Sequence, residues 1–203
     1  MKKIITVSRE FGSGGRELGK RLADYLGLSY FDSEIAEEMS KQTNLDMDYL
    51  SGKLERGVAH YPATFASSFS RISSASNSAM LIAKQHKIIK DIAKINDCVI
   101  VGRGADAVLS EYAPFKIFVY ADMPAKIERC KNRAPEGEKL TDKELEKKIK
   151  SIDKGRKSMY DIFSSHAWGE KSAYNLCINT TGLDIENIIP AVAGIVNAYF
   201  NGE

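Results

Sequence analysis

Apolar residues fall along this chain in short unbroken blocks, separated by longer segments in which they recur every three or four positions. The blocks are Lys3-Ile4-Ile5-Thr6-Val7, Leu28-Ser29-Tyr30-Phe31, Cys98-Val99-Ile100-Val101, Phe115-Lys116-Ile117-Phe118-Val119-Tyr120 and Leu176-Cys177-Ile178-Asn179. Each is too short for a stable helix and lacks a two-residue alternation, which predicts a strand covered on both faces. Helical spacing appears at Leu18, Leu22, Tyr25 and Leu26 before the stop at Gly27, and again at Leu81, Ile88, Ile89, Ile92 and Ile95. It returns at Ile185, Ile188, Ile189, Val192, Ile195 and Tyr199. Asp122 and Pro124 open a further helix. Thr141-x-x-Glu144 forms a capping box within the charged stretch from Lys131 to Ile162. Strands alternating with helices predict an α/β fold whose five-stranded parallel sheet carries helices on both faces.

Between Glu34 and His86 the pattern is helical but polar. The run Ala66-Ser67-Ser68-Phe69-Ser70-Arg71-Ile72-Ser73-Ser74-Ala75-Ser76 reads as mobile or ligand-ordered rather than as rigid core. In parallel sheets ligands collect beyond the carboxyl ends of the strands. Those ends are Ser8-Arg9, Asp32, Gly102-Arg103 and Asp122.

With 203 residues, 43% of them hydrophobic, one domain over 1–203 is expected. The 29 basic and 27 acidic residues nearly cancel, and the balance supplies no basic stripe for nucleic acid. A small anion needs only a local positive cluster. The first apolar block stops at Ser8-Arg9-Glu10, short of a secretory signal, and no run approaches the roughly 20 apolar residues of a membrane span. Cys98, Cys130 and Cys177 form no C-x-x-C pair, and His60, His86 and His166 are scattered, so neither a disulfide framework nor a protein-held metal site is expected. These features predict a reduced, cytoplasmic protein with a small-molecule ligand, and they leave a homo-oligomer open.

Gly12-Ser13-Gly14-Gly15-Arg16-Glu17 joins the first strand to the first helix. Glycines let backbone N–H groups converge on one anion, and the helix start adds its positive end; the alternative is a ligand-free turn. Against the phosphate-loop pattern G-x-x-x-x-G-K-[ST], Arg9 takes the first glycine position and Gly14 the second. Gly15 then stands where the lysine would be and Arg16 where the Ser/Thr would be. The cradle is kept, but the lysine and the magnesium-binding hydroxyl are lost. Arg16 is a candidate for the missing charge. Glu17 is either a magnesium ligand or an exposed acid favoured by the first helical turn.

Val7-Ser8-Arg9-Glu10-Phe11-Gly12-Ser13-Gly14-Gly15-Arg16-Glu17-Leu18-Gly19 strongly resembles the opening of the cytidylate kinase-like family. The similarity continues at Tyr30-Phe31-Asp32, Val99 to Asp106, Asp153 to Tyr160, Trp168-Gly169 and Ile178 to Thr181. The resemblance implies a P-loop NTPase fold of the nucleoside-monophosphate kinase type. A monophosphate-binding insertion would fall near 33–86 and a helical lid near 131–165. It implies transfer of the γ-phosphoryl group of ATP, with Mg2+, to a nucleoside monophosphate such as CMP or dCMP. Asp32, Arg103, Lys154 and Arg156 would face the acceptor, and Arg16, Arg103 and Arg156 would carry the catalytic charge. Gln85, on its helix's apolar stripe, suits base recognition or a satisfied core contact. Trp168 and Tyr174 read as packing anchors. The aspartate that precedes Gly-Arg in true cytidylate kinases is Val101 here, and with the lost lysine this admits a non-catalytic nucleotide- or anion-binding sensor as the alternative.

Overall fold

A computed structural model of the chain describes residues 2–43, 68–135 and 140–202, with backbone alone over 68–78. Five strands form one sheet: β1 (Ile4–Arg9), β2 (Ser29–Phe31), β3 (Cys98–Val101), β4 (Phe115–Tyr120) and β5 (Leu176–Asn179). Their order is β2-β3-β1-β4-β5, and every pair is parallel. The chain crosses from one side of β1 to the other between β3 and β4, so a topological switch point lies at the end of β1, where doubly wound sheets bind ligands.

Seven helices accompany the sheet among the described residues: α1 (Gly15–Leu26), α2 (Ser33–Thr43), α3 (Ser68–Ile95), α4 (Ala105–Val108), α5 (Met123–Asn132), α6 (Asp142–Tyr160) and α7 (Ile185–Asn201). Alternate residues of a strand face opposite ways, and the core divides accordingly. Ile5, Val7, Val99 and Val101 pack under α1 and α7 with Leu18, Leu22, Ile189 and Val196. Ile4 and Ile100 pack against α2, α3 and α4 with Ile35, Met39, Ile89 and Leu109. On this division Arg9 points to the α1 side and Ser8 to the α3 side.

From Ser68 the serine-rich run continues the backbone of α3, because it contains no glycine or proline to interrupt the i→i−4 ladder; Ala66 and Ser67 lie outside the described residues. The charged stretch divides into α5 and α6, the latter starting at the expected capping box. Its Thr141 hydroxyl accepts from the Glu144 N–H, and the Glu144 carboxylate accepts from the Thr141 N–H at 2.8 Å. Residues 44–67 of the expected insertion and 136–139 of the expected lid also lie outside the described set.

Candidate active site

The loop between β1 and α1 is shaped by tertiary contacts as much as by its glycines. Gly12 and Gly14 have φ of +78° and +84°, torsions that L side chains rarely adopt. The first N–H bonded within α1 is Leu18's, to the Gly14 carbonyl. The N–H groups from Gly14 to Glu17 are therefore the ones a helix start leaves for an anion. Thr180, fully buried after β5, donates its hydroxyl to the Ser13 carbonyl at 2.7 Å, and Arg129 of α5 reaches the Gly12 and Thr180 carbonyls.

Helix α6 is fastened to this loop. The Asp153 carboxylate accepts the Phe11 N–H at 2.7 Å, and Arg156 donates to the Arg9 carbonyl at 3.0 Å while lying over the Phe11 ring. Buried Lys126 stands between Glu10 at 2.9 Å and Asp153 at 3.7 Å. Burial raises the Asp153 carboxyl above its ordinary range, opposed by the Phe11 N–H and the neighbouring Arg156 and Lys126 charges.

A cavity of about 700 Å³ opens over the loop between α1, α5 and α6. Five arginines and two lysines line it against one carboxylate, Glu10. Gly12, Gly14, Gly15 and Arg16, expected for phosphate binding, are all in its wall. Ser13 is buried behind it, its hydroxyl donating to the Glu10 carbonyl at 2.8 Å. Glu17 turns to Arg21 and Arg133, so its carboxylate is held by cations.

A second pocket, about 40 Å³, lies beyond the ends of β1 and β3. It brings together Gln85, Arg103 and Arg156 with Ser8, Tyr160 and Trp168. Gln85 is 3% exposed. Its amide donates to the Arg103 carbonyl at 3.4 Å, and its Oε1 is buried with no hydrogen-bond partner among the described residues. A group aimed into a pocket in this state suits a ligand donor. Behind it, Ser8 and Tyr160 donate to the two oxygens of Asp106 at 3.0 and 2.7 Å. Burial raises the Asp106 carboxyl, the two hydroxyls opposing, and burial also raises the Tyr160 phenol. Trp168 packs edge-on to Phe118 at 5.4 Å, and Tyr174 lies 5.0 Å from the same ring, as packing anchors would.

Asp32 is buried just before α2; its carboxylate binds Arg16 and lies 3.7 Å from Arg9. Lys154 is exposed on α6 and lines neither cavity. Arg9 and Arg156 are the two residues that line both.

A family signature described as "Cytidylate kinase-like family" matches residues 4–182. The chain belongs to the cytidylate kinase-like family. A cytidylate kinase of Thermotoga maritima is 24% identical over 220 residues, covering 97% of this chain and 98% of that protein. Among solved structures, a protein from Eubacterium ventriosum superposes with a TM-score of 0.71 at 22% identity, over 97% of this chain and 99% of its own. The shikimate kinase of Bacteroides thetaiotaomicron gives 0.59 at 14% identity, over 99% of both chains. The fold is thus that of the P-loop kinases, within a kinase-like family.

Sequence reasoning passed over Lys126, Arg129, Asp106 and Asp153 as site-forming residues. Only Asp106 and Asp153 carried a signal, as members of matched segments; Lys126 and Arg129 sit in a charged helix that looks solvated.

Proposed function

We propose that this chain transfers the γ-phosphoryl group of ATP to a nucleoside monophosphate of the CMP or dCMP kind. The observation that carries the reading is the pair of cavities at the switch point, a wide cationic one and a narrow one where Arg103 stands beside Gln85, joined at Arg9 and Arg156. In this reading the polyphosphate lies on the N–H groups of Gly14 to Glu17, with Arg16 and the cations of α5 around it. The acceptor phosphate faces Arg103 and Arg156, with Asp32 orienting Arg16, Gln85 receiving a donor from the acceptor, and exposed Lys154 adding positive potential. An acceptor oxygen attacks the γ-phosphorus as the bond to the β,γ-bridging oxygen breaks, and that electron pair leaves with ADP. A dianionic acceptor phosphate brings no proton to remove. Such transfer is mainly positioning and charge neutralisation, which fits a site rich in guanidinium groups. Helix α6 serves as the lid and α2 with α3 as the acceptor-side insertion.

Kinases of this kind use ATP with Mg2+. The two positions that would ligate a metal in the usual pattern carry Arg16 and Val101, and no cluster of three metal-binding side chains occurs among the described residues. Glu10, Glu17, Asp32 and Asp153 are each held by a cation. This donor set does not fit a protein-held metal.

No described helix is long and apolar enough to cross a membrane, and we place the reaction on a small-molecule nucleotide in the cytoplasm. The test is ADP formation from ATP and Mg2+ in the presence of each nucleoside monophosphate in turn, with the phosphorylated product identified. Acceptor-dependent product is expected. Nucleotide binding without product from any acceptor would replace this reading with a non-catalytic nucleotide- or anion-binding sensor, which Gly15, Arg16 and Val101 favour.

A further inference from the structure

The first and seventh positions of the loop compete for one space. A Cβ on Gly15 would stand 2.5 Å from the Arg9 Cβ and 3.2 Å from that of Val119, and approaches under 3.0 Å essentially never occur. Gly15 is not among the residues with positive φ, so its torsions do not demand glycine; Arg9 does. The usual pattern has glycine first and lysine seventh. Here the side chain is first and the glycine seventh.

From there the Arg9 side chain crosses the end of the sheet. A Cβ on Gly102 would meet its Nη1 at 1.6 Å and its Cζ at 2.5 Å, so the glycine after β3 leaves the room the guanidinium fills. Its Nη2 lies 3.7 Å from Asp32, its side chain is 11% exposed, and its carbonyl is held by Arg156. It lines the cationic cavity and the second pocket alike. Arg16, by contrast, has a side chain 66% exposed and lines the first cavity alone.

We propose that Arg9 is the cation that meets the transferred phosphoryl group, doing from the first loop position what a lysine does from the seventh. The inference rests on the phosphotransferase reading and names a catalytic residue for it. A guanidinium at the junction can neutralise the terminal phosphate of the donor while the acceptor approaches from the second pocket. It has no such partner on ADP, which lacks that phosphate.

The test compares ATP and ADP binding by titration calorimetry, together with acceptor-dependent turnover, in the parent and in Arg9→Met. The parent is expected to bind ATP more tightly than ADP. Arg9→Met should reduce ATP affinity to the level of ADP, leave ADP affinity unchanged, and lower kcat about 100-fold or more with little change in acceptor KM. The exchange variant, Arg9→Gly with Gly15→Lys, returns a cation from the opposite side and should regain the ATP preference that Arg9→Gly alone lacks; it also decides the matter should Arg9→Met fail to fold. Equal affinity for ATP and ADP in the parent overturns the proposal, as do an ATP preference that survives Arg9→Met or an exchange variant no better than Arg9→Gly. A parent that prefers ATP through Arg9 yet forms no product sinks the phosphotransferase reading and leaves the contact standing. A parent that turns over, with Arg9→Met as fast, sinks the Arg9 assignment alone.

Discussion

The cavity over the loop is wide, about 700 Å³, and carries seven basic side chains against one carboxylate, whereas its neighbour across Arg9 holds about 40 Å³ between Met159, Tyr160, Phe163 and Trp168. The first presents charge and backbone N–H groups, which suit any polyphosphate. The second sets Arg9, Arg103 and Arg156 beside single hydrogen-bonding atoms, such as the buried Oε1 of Gln85 and the hydroxyls of Ser8 and Tyr160. Such a pocket discriminates, because a ligand that cannot satisfy a buried polar group leaves it unpaired. On the proposed function, donor binding and acceptor choice are separable, and substitutions should divide along the same line. Admission of a whole nucleotide to the smaller pocket requires it to widen, a demand the larger cavity does not face.

The largest effect is expected where the wall of the charged cavity depends on one buried cation. Lys126→Met leaves Glu10 and Asp153 facing each other without their shared partner and should cost about 3 kcal/mol in urea unfolding. A loss under about 1 kcal/mol would show that the pair is solvated and that α6 is held to the loop by other contacts.

A smaller effect is expected in the core beneath the loop, where α1 packs on β3. A Cβ on Gly19 would stand 2.5 Å from Val101 Cγ2, so Gly19→Ala should cost roughly 1–3 kcal/mol through overpacking of α1 on β3. Val101→Ala in the same chain should recover most of that loss. If the double variant is no more stable than Gly19→Ala, the strain lies elsewhere.

The smallest effect concerns the floor of the second pocket. The Asp106 carboxyl is raised above its ordinary 3.8 by burial, so the unfolded chain ionises first as pH rises. Its contribution to stability is complete below 3.8 and is lost as pH climbs through the raised folded value. Asp106→Asn should therefore gain on the parent as pH rises from strongly acidic toward neutral, followed by thermal unfolding across that range. A parent-to-variant difference that does not move with pH would contradict the raised carboxyl.

The elements of the sheet were legible because parallel strands buried on both faces leave continuous apolar blocks, and Cys98–Val101 and Leu176–Asn179 begin and end where those blocks do. The capping box at Thr141 was legible because it is a contact between neighbours in sequence. The helical pattern reaching His86 was legible too, and α3 runs unbroken from Ser68 because no glycine or proline interrupts its backbone ladder. For the site, Gly12, Gly14, Gly15, Arg16, Gln85, Arg103 and Arg156 do line the two cavities. What could not be read was the meaning of Arg9. Its contacts are with Gly15, Asp32, Gly102 and Arg156, four places far apart in the sequence, and spacing alone shows only an arginine where a glycine belongs. The Asp106 network is hidden for the same reason, being assembled from β1, α4 and α6.

The most direct test is a crystal structure with a non-hydrolysable ATP analogue and CMP bound together. The triphosphate is expected on the N–H groups of Gly14 to Glu17, with its terminal phosphoryl group against Arg9 and the CMP phosphate on the Arg103 side. A triphosphate bound away from the loop, or a terminal phosphate on the loop with Arg9 turned from it, would overturn the assignment of Arg9.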